Sequence, residues 1–242
     1  MKIGKSFAIA LASACVASIV SQASAQTPAY GYTFFDQAYA GTDNPNNDLL
    51  NVQGLSYRNS ISTSGPTGTA AFSGKISNAI LKLSSSTTNP DYGESFSNGD
   101  MYSFDTFTIN GPASQTGLFT FKLRVNGSVQ VAGGGQADLI CTYTLFMNGT
   151  IIPAMEYEGA VPGSEISVSP TSPPSQFVSV QLPLTSGEVV VFGELLQVRN
   201  VEIGGNGSLD GGSTSIAVKK ASVTVTPPKG FSFTTASGLT YH

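Results

Sequence analysis

Carboxylates are the side chains of this 242-residue sequence best placed to do chemistry. Glu156 and Glu158 alternate, so on a strand they share one face. Neighbours on one face of a strand sit about 7 Å apart, a spacing open to a glycosidase-like pair. Two glutamates on a solvated face would leave the same pattern. Asp91, Glu94 and Asp100 form a second acidic set in a stretch rich in Ser, Asn and Gly. Asp43, Asn46 and Asp48 offer hard oxygen ligands at close spacing, which suits calcium. That stretch lacks the glycine and the distal bidentate glutamate of an EF-hand loop, and Asx residues also gather wherever turns form. His242 is the single histidine and stands last. Triads that need an imidazole base, and zinc or copper sites built on imidazole, have no ordered histidine to use. No catalytic residue is therefore assigned, and calcium is the one cofactor with candidate ligands.

The N-terminus carries an export signature. Lys2 and Lys5 precede an apolar run over 7–20, and Ala23-Ser24-Ala25 stands before Gln26. This is the layout of a secretory signal peptide cut after Ala25. Ala12-Ser13-Ala14-Cys15 loosely resembles a lipobox, but a cut there would fall early in the apolar run. The expected mature chain is 26–242, secreted or periplasmic in transit. No later stretch offers the about 18–20 apolar residues of a spanning helix, so no membrane span is expected.

Removing Lys2 and Lys5 leaves nine cations against 15 acids, a net charge of −6. That weak acidity offers nucleic acid or an anionic membrane little to bind. Charged residues make up only 11% of the chain, and its polarity rests on Ser, Thr, Asn and the backbone of 27 glycines. Cys141 is the single cysteine after Ala25, so no internal disulfide can form. It shares a strand face with Leu139 and Tyr143 and reads as a buried, inert thiol. There is no Trp, and several of the nine Tyr alternate with Phe as core residues do.

The elements that must position these groups are strands. Residues 119, 121, 123 and 125 are apolar and alternate with Thr120, Lys122 and Arg124. Asn126-Gly127 then predicts a tight turn, with a three-residue loop or bulge keeping Val129 and Val131 on the apolar face. Gly133-Gly134-Gly135 predicts another turn, followed by an apolar face from Leu139, Cys141, Tyr143, Leu145 and Met147. Asn148-Gly149 predicts a two-residue hairpin that sets Leu145 opposite Ile152 and Tyr143 opposite Ala154. Further strands are expected over 55–61, 70–83, 101–109, 177–184, 188–198 and 216–226, with 87–100 as a loop. The change of apolar parity at Lys219-Lys220 predicts a bulge, and the run 189–192 reads as apolar on both faces. Residues 160–175 hold four prolines and serve as a linker between two domains or as a crossover within one. Neither flank has its own full set of strands, which favours a single domain over 26–242, with 160–176 as the place where it would divide. The expected fold is an all-β antiparallel sandwich, Ig-like or jelly-roll-like, with glycine- and serine-rich loops and helix only in the signal peptide.

The C-terminal third carries a resemblance. Gly193-Glu194-Leu195, a glycine-rich loop, the strand 216–226 and the run Pro228, Gly230, Phe231, Phe233, Ser237, Gly238 resemble secreted bacterial β-rich proteins of the PEP-CTERM sorting-domain type. The likeness spans roughly 100–241 and rests on turns and strands rather than on chemistry. It implies an exported β protein, often linked to exopolysaccharide. The sequence departs from that type after Leu239-Thr240-Tyr241-His242, where no Pro-Glu-Pro, apolar helix or basic cluster follows; the expectation is release rather than anchoring. Together these readings lead to a non-enzymatic exported protein of the cell surface or exopolysaccharide matrix, with polysaccharide or another matrix protein as partner. A carbohydrate-active protein, either a glycan-binding module or a carboxylate-pair glycosidase, is the alternative.

Overall fold

Alternating strands bury one face only when a second sheet covers it, and the described residues build two sheets from 13 strands. The structure is a computed structural model that describes residues 29–41, 44–89, 94–133, 136–158, 176–203 and 212–241. The expected signal peptide with Cys15, the residues Asp43, Asp91 and His242, and the proline-rich stretch 160–175 lie outside the described residues.

The strands are β1 (Tyr30–Tyr39), β2 (Asn46–Val52), β3 (Ser56–Gly65), β4 (Gly68–Ser77), β5 (Ile80–Asn89), β6 (Glu94–Asn110) and β7 (Thr116–Gly133). They continue with β8 (Gln136–Met147), β9 (Thr150–Glu158), β10 (Gln176–Thr185), β11 (Val189–Ile203), β12 (Gly212–Thr226) and β13 (Ser232–Thr235). The first sheet runs β2-β1-β6-β11-β8-β9, with β13 on the end of β6; the second runs β10-β7-β12-β5-β4-β3. Every pairing is antiparallel, and no described residue is helical. The sandwich expected from the alternation is the fold.

The connections explain how the sheets are tied. Asn89 of β5 and Gly133 of β7 both pair with Gly212 of β12. Glu94 of β6 and Gln136 of β8 both pair with Ile203 of β11. The units β5–β6 and β7–β8 therefore flank β11–β12 on both sides and in both sheets. At the other end Thr116 pairs with Thr185 and Thr108 with Val189, so β6–β7 runs beside β10–β11. The Gly187 N–H donates to the Ile109 carbonyl there, and the Ile109 N–H donates to the Glu188 carbonyl. Strands on the two sides of residues 159–175 thus pair with one another in both sheets.

Several local expectations change. Asn126-Gly127 is no hairpin: β7 runs straight through it. The odd residues from Phe119 to Val125, and Val129, stay buried along one unbroken strand. The bulge lies on the partner, where β12 gains Lys219-Lys220 between Val218 and Ala221, as its parity change implied. Gly127 serves that bulge, because a Cβ there would come within 2.6 Å of the Ala217 carbonyl oxygen. Asn148 and Gly149 do form the tight turn, with φ of 49° and 76°. Leu145 faces Ile152 as expected, but Thr144 rather than Tyr143 faces Ala154. Pro153 has no N–H for the ladder, and the register shifts beside it. Residues 70–83 divide into β4 and β5 at Asn78-Ala79, both at positive φ.

Residues 87–100 are largely strand rather than loop. Ser95 and Ser97 take inward positions and are wholly buried. Their hydroxyls donate to the Thr88 and Ala71 carbonyls, which satisfies groups that otherwise make serine a surface residue. Val189 and Val191 are exposed although β11 is central, so 189–192 is covered on one face only.

Between the sheets an aromatic column runs from Phe121 through Phe192 and Phe107 to Phe233, with centroids 5.9, 5.0 and 4.9 Å apart. Such contacts add about 0.5–1.5 kcal/mol each beyond area burial. Elsewhere the sheets close over glycine: the Phe72 ring lies where a Gly99 Cβ would be, 2.2 Å away. Gly99→Val is expected to cost about 2–3 kcal/mol by overpacking, read as a lowered urea midpoint. An unchanged midpoint would show that the sheets do not meet there.

Candidate functional site

Two acids occupy inward positions where the alternation calls for apolar side chains. Asp105 lies between Ser103 and Phe107 on the inner face of β6, and Glu194 between Phe192 and Leu196 on that of β11. Each is about 1% exposed. Tyr143 of β8 donates its hydroxyl to Glu194 Oε2, while Oε1 has no partner among the described residues. Burial pushes the Glu194 carboxyl up to about 8, against which the Tyr143 hydrogen bond acts more weakly. Glu194 is therefore largely neutral at pH 7. Burial also raises the Tyr143 hydroxyl well above its usual range, with the Glu194 charge adding to it.

Asp105 is held differently. It accepts the Thr106 N–H at 2.8 Å, the Ser237 N–H at 3.1 Å, the Ser237 hydroxyl and the Tyr241 hydroxyl at 3.2 Å. Burial raises its carboxyl, and these donors oppose that. Three of these four donors come from the C-terminal tail, which reaches Asp105 because β6 is covered by β1 as far as Asp105 and by β13 from Phe107 onward. The tail then crosses to the second sheet, where the Val225 N–H donates to the Tyr241 carbonyl.

Two smaller polar clusters also join the sheets. Asn59 of β3 donates to Asp36 of β1 at 2.8 Å, and burial raises the Asp36 carboxyl. Asn200 of β11 meets Thr87 of β5 and Thr214 of β12. Asp36, Asp105, Glu194 and Asn200 are all buried, so their chemistry is positional: a slipped strand would leave them without the partners they have.

The residues singled out from sequence fall elsewhere. Asn46 and Asp48 lie on β2 rather than in a loop, both exposed on one side of the strand. Asp43, the third calcium candidate, is outside the described residues, and no group of three His, Cys, Asp or Glu among those described could hold a metal ion. Glu94 and Asp100 share the outward face of β6 but stand six residues apart, about 20 Å along a strand. That is too far for a carboxylate pair, which works at about 5–9.5 Å. Asp100 accepts a hydrogen bond from Gln197 at 3.1 Å. Glu156 and Glu158 take alternate positions on the edge strand β9, opposite Thr142 and Ile140. Cys141 is fully buried and free, and burial pushes its thiol up, away from the reactive thiolate.

Neither Asp105 nor Glu194 is among those candidates. The signal was present: an acid on the apolar parity of a strand is a buried acid. The outward face of the second sheet has another character. β5 turns Lys82, Ser84, Ser86 and Thr88 to solvent, and β3 turns out Ser56, Arg58, Ser60, Ser62 and Ser64. No protein-family model matches this chain, and no curated protein matches it.

The buried acids set a pH dependence. The Glu194 carboxyl is raised from 4.5, so its contribution to stability is complete below about pH 4.5 and is lost as pH rises to about 8. Asp36 and Asp105 are raised too and act with the same sign. Wild type is expected to lose urea stability between pH 5 and pH 8, and Glu194→Gln to flatten that loss. Parallel curves for the two proteins would show that Glu194 does not titrate in this window.

Proposed function

We propose that the protein is an exported, non-enzymatic component of the cell surface or of a surrounding polysaccharide matrix, acting by contact through a sheet face. One observation carries this reading. The acids with the strongest upward push on their carboxyls are buried between the sheets, while the outward sides of β3 and β5 are lined mainly by hydroxyls. A hydroxyl-bearing sheet face suits an extended hydrated polymer, whereas small-molecule chemistry calls for a cleft. Among Tyr30, Tyr32, Tyr39, Tyr57, Tyr102, Tyr143 and Tyr241 none is exposed, so stacking platforms for sugar rings do not contribute on these residues.

The same hydroxyl face favours a second reading, a glycan-binding module. The two differ in whether the polymer is met as a scaffold or as a specific ligand. A glycosidase gains nothing from Glu94 and Asp100 at their separation.

Fractionation of the producing cells tests the first reading. The protein, beginning at Gln26, is expected in the medium or in a detergent-free wash of the matrix, with no hydrolysis of polysaccharides offered to it. Recovery mainly from the detergent-extracted membrane pellet, or release of reducing ends, would contradict it.

A further inference from the structure

We propose that the outward face of the second sheet binds an acidic polysaccharide, a polymer with about one carboxylate or sulfate per sugar, along a row of cations that crosses the strands. Arg58 of β3 pairs directly with Lys75 of β4, which pairs directly with Lys82 of β5. On the next strand Val218 faces Leu83 and Ala221 faces Leu81, so Lys82 lies opposite the bulge that holds Lys219 and Lys220. On β7 Lys220 meets Asn126, and Arg124 and Lys122, opposite Ser222 and Thr224, extend the cationic face at an angle, two and four residues along the strand. All seven side chains are exposed. They are seven of the nine cations in 26–242. None of the six strands of this sheet contains an Asp or Glu, whereas the strands of the first sheet hold ten acids and one cation, Arg199.

The fold does not need this row. Like charges directly opposite each other destabilise a sheet. Solubility is served by mixed signs. Lysines that guard against edge pairing belong on edge strands, and here only β3 and β10 are edges, while Lys75, Lys82, Lys122, Arg124, Lys219 and Lys220 are interior. The bulge also turns two successive lysines outward where an unbroken strand would show one. A partner that supplies the anions that the strands of this sheet lack accounts for the arrangement.

The geometry selects the partner. Strands lie about 4.8 Å apart, so Arg58, Lys75, Lys82 and the bulge repeat at that pitch over about 14 Å from β3 to β12. That pitch suits one anion per sugar ring along an extended chain. Duplex DNA presents a charge about every 1.7 Å, much closer than the spacing of the row. Single strands are held on a series of exposed aromatic rings; the outward positions of β3, β4, β5, β12 and β7 carry none, and Phe177 of the edge strand β10, opposite Arg124, is a single exposed ring at the end of the row. Serine and threonine hydroxyls flank the row instead, able to donate to and accept from sugar hydroxyls. A shallow depression of about 240 Å³ lined by Arg58, Ser73, Lys75, Lys82 and Ser84 marks its first half.

This inference rests on the exported-contact reading only for where the polymer is met. The test uses purified protein over 26–242 with an immobilised polyuronate, a neutral polysaccharide of similar length, duplex DNA and anionic vesicles, at low and high salt. Retention on the polyuronate alone, lost at high salt, is expected. Lys75→Glu with Lys82→Glu should weaken it by about tenfold or more, while Lys229→Glu, outside the row, leaves it unchanged; thermal melts check that each variant folds. Equal retention on the neutral polymer, DNA or vesicles, insensitivity to the row variants, or salt-reversible self-association in place of polymer binding would overturn the proposal. None of these results would move the fractionation that tests location, so the two readings can fail separately.

Discussion

The backbone ladder along β11 and β12 is the constraint on which the rest of this sandwich depends. β11 is paired along its length with β6 on one side and from Phe192 onward with β8 on the other. β12 is paired with β5 and β7. The two strands are consecutive in sequence and lie in different sheets, so the register of one sheet is tied to that of the other. A one-residue slip of β11 would turn Phe192, Glu194, Leu196 and Asn200 out of the interior together. The bulge at Lys219-Lys220 belongs to the same constraint: it resets the parity of β12 so that Ala221, Val223 and Val225 face inward beside Ile216 and Val218.

The polar groups inside the sandwich secure that register. Asp36–Asn59, Asn200–Thr87–Thr214, and the pair of buried acids with Tyr143, Ser237 and Tyr241 sit at different places between the sheets. Buried groups of this kind add little net stability, since desolvation offsets much of each interaction. Their effect is to make misaligned packings costly. Charge on the outside is arranged by a different rule, with cations gathered on the second sheet and acids on the first. A net charge taken over the whole chain averages these faces and conceals both.

Much of this was legible in the sequence because side-chain parity is a direct consequence of strand geometry. The face formed by Leu139, Cys141, Tyr143 and Leu145, the turn at Asn148-Gly149 and the bulge at Lys219-Lys220 all follow from it. Asn126-Gly127 misled because the dipeptide suits a turn and a bulge equally, and only the partner strand decides between them. The strand through Ser95 and Ser97 was hidden because buried serines look like loop residues until their carbonyl acceptors are known. Asp105 and Glu194 were visible as acids on apolar parity, yet Asp105's partners Ser237 and Tyr241 lie 132 and 136 residues beyond it and Glu194's partner Tyr143 lies 51 residues before it, which spacing alone cannot bring together. The cation row needed the strand order, since Arg58, Lys75, Lys82 and Lys219 become neighbours only once β3, β4, β5 and β12 are placed side by side.

The central claim is that strands from before and after residues 159–175 form one cooperative structure. Native-state hydrogen exchange followed through increasing denaturant tests this directly. The amides of β6, β7, β11 and β12 are expected to lose protection together, in a single global opening. Loss of protection in β10–β12 at low denaturant while β6–β8 stay protected would contradict it, because each of those groups would then be stable without the ladder that joins them.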